Sequence, residues 1–209
     1  MTTYRKYPRT SHLPWSPGAT EDDTCLNTVD YFVGKRVIVT EKMDGENTTL
    51  YRDHMHARSI DGRHHPSRDW VKNLHGRISH EIPEGWRVCG ENLFARHSIG
   101  YENLPSYFMM FSIWNSENVC LDWDSTIEWA ELLGLETVPV LFEGEFDQNW
   151  FKSLNLDLQE TEGYVVRLAD SFDYANFGTS VAKWVRSNHV QTDQHWMSSE
   201  ITPNRLIKP

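Results

Sequence analysis

Seven residues, EKMDGEN from Glu41 to Asn47, bring the residue types needed for covalent chemistry into one short bend. Lys42 follows a strand-like apolar run, and Asp44-Gly45 makes a tight turn just after it. The amine is thereby set at a strand end among three carboxylates, Glu41, Asp44 and Glu46. A free lysine has a pKa near 10.4, so only about one in a thousand is neutral and nucleophilic at neutral pH. A dry pocket with another cation or a metal ion nearby lowers that value and makes the amine reactive. In an isolated K-x-D-G the lysine simply pairs with its acidic neighbours. Chemistry at Lys42 therefore requires more of the chain: a pocket for a phosphate-bearing reactant, oxygen ligands for a cation, and further positive charge.

The elements that must position this bend are mostly strands. Strand-like runs cover Lys35–Glu41, Thr48–Arg52, His54–Ser59, Trp86–Glu91, Ser106–Trp114, Val138–Phe142, Gly163–Leu168 and Val181–Arg186, several alternating apolar and polar residues. Three helices interrupt them. One starts at Ser67 (SRDWVKNLHGRI). One opens on a capping box of Ser125 and Glu128 and closes at Gly134, and a short one is capped by Asp147. Many short strands with a few inserted helices indicate an α+β fold dominated by antiparallel sheet. The sequence divides into an irregular lead-in (1–30), one domain (31–190) and a C-terminal extension (191–209) that packs on it. No repeat or low-complexity segment is found.

A chain of 209 residues buries a substantial core, roughly 70% of its unfolded surface. No run of about 18 apolar residues is present, so nothing reads as a membrane span. The N-terminus lacks the apolar stretch of a secretory signal. Cys25, Cys89 and Cys120 lie far apart without C-x-x-C spacing, against a disulfide framework or zinc knuckle. A cytoplasmic protein is expected. The net charge of −10 looks wrong for a binder of nucleic acid, but it is segregated. Glu117 to Glu162 holds twelve acids and one base, Lys152, whereas Arg52 to Arg77 holds six bases and three acids. A basic face can coexist with an acidic one. His54 and His56 share a strand face and His64-His65 follow, but no third ligand has zinc-site spacing. His189 and His195 have no spacing that specifies a site.

Six segments in order resemble the covalent nucleotidyltransferase superfamily of polynucleotide ligases and RNA-capping enzymes, and most closely ATP-dependent RNA ligases of the RNA ligase 2 type. KMDGEN resembles the lysyl-nucleotide motif, and ARSIDGR (Ala57–Arg63) the arginine-bearing segment after it. CGENLFARHSIGY (Cys89–Tyr101) resembles the glutamate motif and SYFMMFSIW (Ser106–Trp114) the aromatic strand. EGYVVR (Glu162–Arg167) resembles the second acidic motif, and VAKWVR (Val181–Arg186) the closing basic one. The resemblance covers about Arg36 to Arg186. It implies the ATP-grasp-like adenylyltransferase domain of ligases, with antiparallel sheets and flanking helices.

The same resemblance implies roles. Lys42 attacks the α-phosphate of ATP and carries AMP. Lys183 holds the α-phosphate, and Glu162 binds Mg2+ or Mn2+, in keeping with the preference of hard cations for oxygen. Glu91 contacts the ribose, and Phe111 stacks on adenine, although a shift of register would put Phe108 there instead. Glu41 accepts from the adenine amino group, Arg58 contacts phosphate, and Asn47 orients the phosphate or an RNA 3′ hydroxyl. Arg63, Arg68, Lys72 and Arg77 are candidates for the RNA backbone, or equally an ordinary solvated helix face. The implied substrate is RNA, or an RNA/DNA hybrid nick, with 5′-phosphate and 3′-OH ends. Two departures stand out. Val181 replaces the first of two lysines in the closing motif, with Arg186 as a candidate substitute. The chain also ends about 23 residues later, without room for a C-terminal OB-type or helical domain. The acidic 117–162 surface suits docking of a basic protein partner. A GTP-using capping enzyme and a non-catalytic module of the same fold are the alternatives.

Overall fold

The computed structural model describes residues 3–60, 63–187 and 201–208. In chain order the strands are β1 (Ser11–His12), β2 (Arg36–Glu41), β3 (Glu46–Tyr51), β4 (Met55–Ala57), β5 (Arg87–Asn92), β6 (Phe108–Trp114), β7 (Val119–Cys120), β8 (Glu136–Thr137), β9 (Val140–Glu145), β10 (Gly163–Leu168), β11 (Phe172–Asp173) and β12 (Val181–Val185). The helices are α1 (Asp69–Ile78), α2 (Trp123–Leu133), α3 (Gln148–Ser153) and α4 (Phe177–Ser180). The α+β expectation is met.

Two sheets face each other. One runs β1-β12-β10-β2-β9, the other β11-β7-β6-β5-β3-β4 with β8 beside β6. Pairing is antiparallel except for β1 with β12 and β6 with β8. The sequence of β2 shows why it is central. Val37, Ile38 and Val39 are all fully buried. Ile38 packs inward with Met43, Leu93 and Met109, whereas Val37 and Val39 pack outward with Phe32, Phe146 and Phe151. A strand covered on both faces reads as a continuous apolar run. On the second sheet, α1 and α2 cover the outer face through Val71, Leu74, Ile78, Ala130 and Leu133 against Leu50, Val88 and Met110.

Two local expectations need correction. The strand expected at Val138–Phe142 starts at Val140, after Pro139, since proline has no N–H for a ladder, and runs on to Glu145 as β9. The short β8 just before it joins the other sheet. Helix α2 also begins before Ser125: Asp122 caps it, accepting from Ser125 N at 2.8 Å. A carboxylate is the better acceptor there and complements the helix dipole. Gly134 ends α2 and Asp147 caps α3, as the sequence indicates.

The lead-in is more ordered than its composition suggests. β1 pairs with β12, and His12 and Leu13 are buried. Near the C-terminus, Asn204 is buried and its side chain donates to Leu93 O at 2.8 Å. His189, His195 and most of the 191–209 extension lie outside the described residues. No helix among the described residues is long and apolar enough to cross a membrane.

Candidate active site

Lys42 to Gly45 form the link by which the chain leaves one sheet at the end of β2 and enters the other at β3. Each residue of that link is held. Lys42 N donates to Gly163 O at 2.9 Å, which extends the β2–β10 ladder one residue beyond the strand. Met43 is buried in the core between the sheets. Asp44 accepts from Ile99 N at 2.7 Å and Ser98 Oγ at 2.6 Å, while its own N–H donates to the Tyr101 hydroxyl at 2.9 Å. Gly45 N donates to Glu91 Oε1 at 3.2 Å. A side chain at Gly45 is sterically excluded, because a Cβ there would lie 2.4 Å from Asn92 O.

The link borders a cavity of about 560 Å3 between the sheets, within the usual range for sites that take small ligands. Glu41, Lys42, Asn47, Arg58, Glu91, Phe111, Glu162 and Lys183, far apart in sequence, all line it. Each comes from a strand or its end: Glu162 immediately precedes β10, Lys183 lies on β12, and Asn47 pairs across from Glu91 on β3 and β5. Arg58 follows β4, and its N–H donates to Asn47 O at 3.0 Å. The Asn47 Oδ1 is buried and has no hydrogen-bond partner among the described residues. Phe111 is half-buried and packs against the same cluster as Val165.

The electrostatics centre on Lys42. Its ammonium hydrogen-bonds the Glu162 carboxylate, whose side chain is only 1% exposed. Burial works against the ammonium, but Glu162, Glu91 and Asp44 outweigh it, and the pKa is raised. The expectation of a lowered lysine pKa is thus not met in the protein alone, where carboxylates dominate the amine's surroundings. Burial also pushes the Glu91 carboxyl up to about 8; Lys42 opposes this, while Glu162 and Asp44 add to it. Lys183 is shifted the other way, its ammonium disfavoured first by burial and then by Lys42. Carboxylate oxygens are the donor type that a hard divalent cation prefers. Among the described residues, no group of three or more His, Cys, Asp or Glu forms a metal cage of its own.

Other candidates are placed otherwise than expected, although Arg68 does line the cavity. Arg186 does not line it. Its N–H bonds Glu162 O at 3.0 Å, and its guanidinium donates to Leu158 O at 2.5 Å. Arg186 and Lys183 are three apart on an extended chain and so face opposite ways. The missing cation at Val181 is therefore not supplied by Arg186. Arg68 is not a solvated helix residue either: it is buried, and its fork grips Glu46 with contacts of 2.5–3.1 Å. Arg63 and Arg77 are exposed and Lys72 partly so, all outside the cavity wall. Sequence reasoning missed the Tyr101 and Ser98 clamp on Asp44. It also missed Tyr7, Asp22, Asp23 and Thr24 of the lead-in, which line the cavity. The Tyr7 ring meets Phe111 edge-to-face at 5.3 Å. A two-residue strand leaves too short a pattern to reveal this.

A model of the RNA ligase family matches residues 35–185, most of the chain. No curated protein matches it in sequence. Solved structures match in fold. An RNA ligase from Naegleria gruberi, in a mutant form with ATP and Mn, has a TM-score of 0.58 at 17% identity, covering 87% of this chain and 60% of its own. An archaeal ATP-dependent RNA ligase gives 0.58 at 16%, covering 88% and 48%. A putative ATP-dependent DNA ligase from Aquifex aeolicus gives 0.58 at 20%, covering 87% and 50%. The chain spans about half the length of most such structures. At these identities the likeness is one of fold, and it extends to RNA and DNA ligases alike.

Proposed function

Because this chain belongs to the RNA ligase family, we propose that it is an ATP-dependent RNA ligase working through a lysyl-AMP intermediate. The observation that carries this reading is the Lys42 amine, held between buried carboxylates at the edge of a nucleotide-sized cavity that Lys183 also lines. Three transfers follow. The neutral form of the Lys42 amine bonds through Nζ to the α-phosphorus of ATP as the bond to pyrophosphate breaks, and the nitrogen sheds its extra proton to solvent. AMP then passes to a 5′-phosphate end, and a 3′ hydroxyl finally displaces it to form the phosphodiester. Such transfers depend on positioning and charge neutralisation more than on acid–base chemistry.

The side chains divide the work. Phe111 stacks the adenine, a contact worth roughly 1–3 kcal/mol. Glu41, half-buried at the cavity edge, accepts from the adenine amino group. Glu91 binds the ribose; burial pushes its carboxyl up to about 8, and it accepts from a ribose hydroxyl. Arg58 and Lys183 bind phosphate oxygens. The unsatisfied Asn47 Oδ1 is suited to accept from a 3′ hydroxyl. Glu162, with phosphate oxygens, would hold a Mg2+ or Mn2+ ion, which when bound neutralises charge on the phosphates. Arg63, Lys72 and Arg77 remain for the RNA backbone, whereas Arg68 orders Glu46 behind the link. The acidic 117–162 surface, with Val140 44% and Leu141 37% exposed on edge strand β9, serves a basic protein partner.

Sealing assays on nicked duplexes with all four RNA/DNA strand combinations test the substrate. Joining is expected where RNA supplies the 3′-OH side. Joining of DNA strands alone would contradict the assignment, and a covalent adduct formed from GTP but not ATP would turn it to a capping-type enzyme.

A further inference from the structure

We infer that Asp23, on a lead-in that the family match does not reach, is a positioning residue for Lys183. The match begins at residue 35, yet the cavity wall continues through Lys6–Thr10 and Asp22–Thr24. This segment is fastened to the strand that carries Lys183. β1 and β12 pair in parallel with His12 opposite Lys183. Leu13 N donates to Lys183 O at 2.8 Å and Gly18 N to Val185 O at 2.9 Å. Ser16 Oγ accepts from Val185 N at 2.9 Å.

Residues in register on neighbouring strands send their side chains to the same face, so His12 stands beside Lys183. His12 is completely buried, with Nδ1 2.8 Å from Ser16 Oγ and Nε2 3.6 Å from Asp23 Oδ2. The chain then doubles back. His12 N donates to Thr24 O at 2.7 Å, and the Thr20 N–H and hydroxyl donate to Asp23 Oδ2 at 3.1 and 2.9 Å. The Asp23 carboxylate is thus fixed over His12 at the Lys183 end of the cavity. Lys42, Asp23, Glu162 and Arg58 act electrostatically on Lys183: burial and Lys42 disfavour its ammonium, and Asp23 is the first of the carboxylates that favour it.

A lysine has four rotatable bonds, and an anchored carboxylate restricts the positions its ammonium visits. Lys183 alone supplies positive charge from β12 to the cavity.

This rests on the function proposed above, and the test separates the two. Single-turnover formation of the AMP adduct is measured for Asp23→Asn, Asp23→Glu, Lys183→Ala and the Asp23→Asn/Lys183→Ala double variant, with melting temperatures alongside. Asp23→Asn is expected to slow adduct formation about tenfold, Asp23→Glu to restore most of it, and Asp23→Asn to add nothing once Lys183 is gone. If Asp23→Asn does not fold, Thr20→Val, which removes one anchor of the carboxylate, carries the same expectation at smaller size. A wild-type rate in Asp23→Asn, or an equal loss with and without Lys183, overturns the positioning role and leaves the ligase reading standing. A wild-type chain that forms no adduct with any nucleoside triphosphate removes both.

Discussion

Lys42, Glu91 and Glu162 share one charge balance in the cavity wall, and each substitution disturbs it in its own way. Glu91 keeps its proton up to about pH 8 in the folded chain, whereas an ordinary glutamate releases it near 4.5. Between those values the folded state binds more protons than the unfolded one. Stability therefore falls as pH rises through that window. Glu91→Gln abolishes this slope, so its melting temperature should gain on the wild type from pH 5 to pH 8. A difference that stays constant with pH would contradict the raised pKa of the Glu91 carboxyl. Lys42→Ala removes the ammonium beside the buried Glu162, and loss of one partner from such a pair costs about 3–5 kcal/mol. Lys42→Arg retains the charge. Both variants should lose adduct formation, but thermal melting should show only the alanine variant clearly destabilised.

At the scale of elements, the central device is the four-residue link between β2 and β3. It must cross from sheet to sheet while touching β5, which leaves no room for a side chain at Gly45. Gly45→Ala should push the link away from Asn92 and Glu91 and reduce adduct formation by at least tenfold. Normal activity in that variant would show that the link tolerates displacement. Much of this was legible in the sequence. The apolar run of β2, the Asp44-Gly45 turn, the strands bearing Glu91, Phe111 and Lys183, and the strand that Glu162 precedes follow from local pattern. Other features were illegible because they depend on partners distant in sequence. Asp44 is clamped from Ser98 to Tyr101, Arg68 turns inward to Glu46, and the lead-in becomes a strand only because β12 has a free edge for it. Arg186 shows that matching a motif position does not secure a direction, which the pleat decides.

Over the whole molecule, two facing sheets create a cavity whose wall sets apolar surface, Phe111 and Val165, among charged groups, Lys42, Glu162 and Lys183. Such a mixed wall fits a ligand that carries both a flat base and phosphates. The acidic 117–162 stretch is partly paired with cations, as where Arg36 bridges Asp124 and Glu143, which leaves the cavity's own balance to local residues. Binding to the folded state alone raises its stability, by about 2.7 kcal/mol at a ligand concentration one hundred times the Kd. ATP with magnesium should therefore raise the melting temperature of Lys42→Arg, which binds without reacting, and GTP should raise it less. No shift with either nucleotide would mean that the cavity does not take one.

The most direct measurement locates the covalent bond. The full chain is incubated with ATP labelled at the α-phosphate and with magnesium or manganese, then denatured, digested and mapped. AMP is expected on the peptide containing Lys42, through an acid-labile phosphoramidate that is absent from Lys42→Arg. Label on a different residue, or none from any nucleoside triphosphate, would contradict the mechanism at its first step.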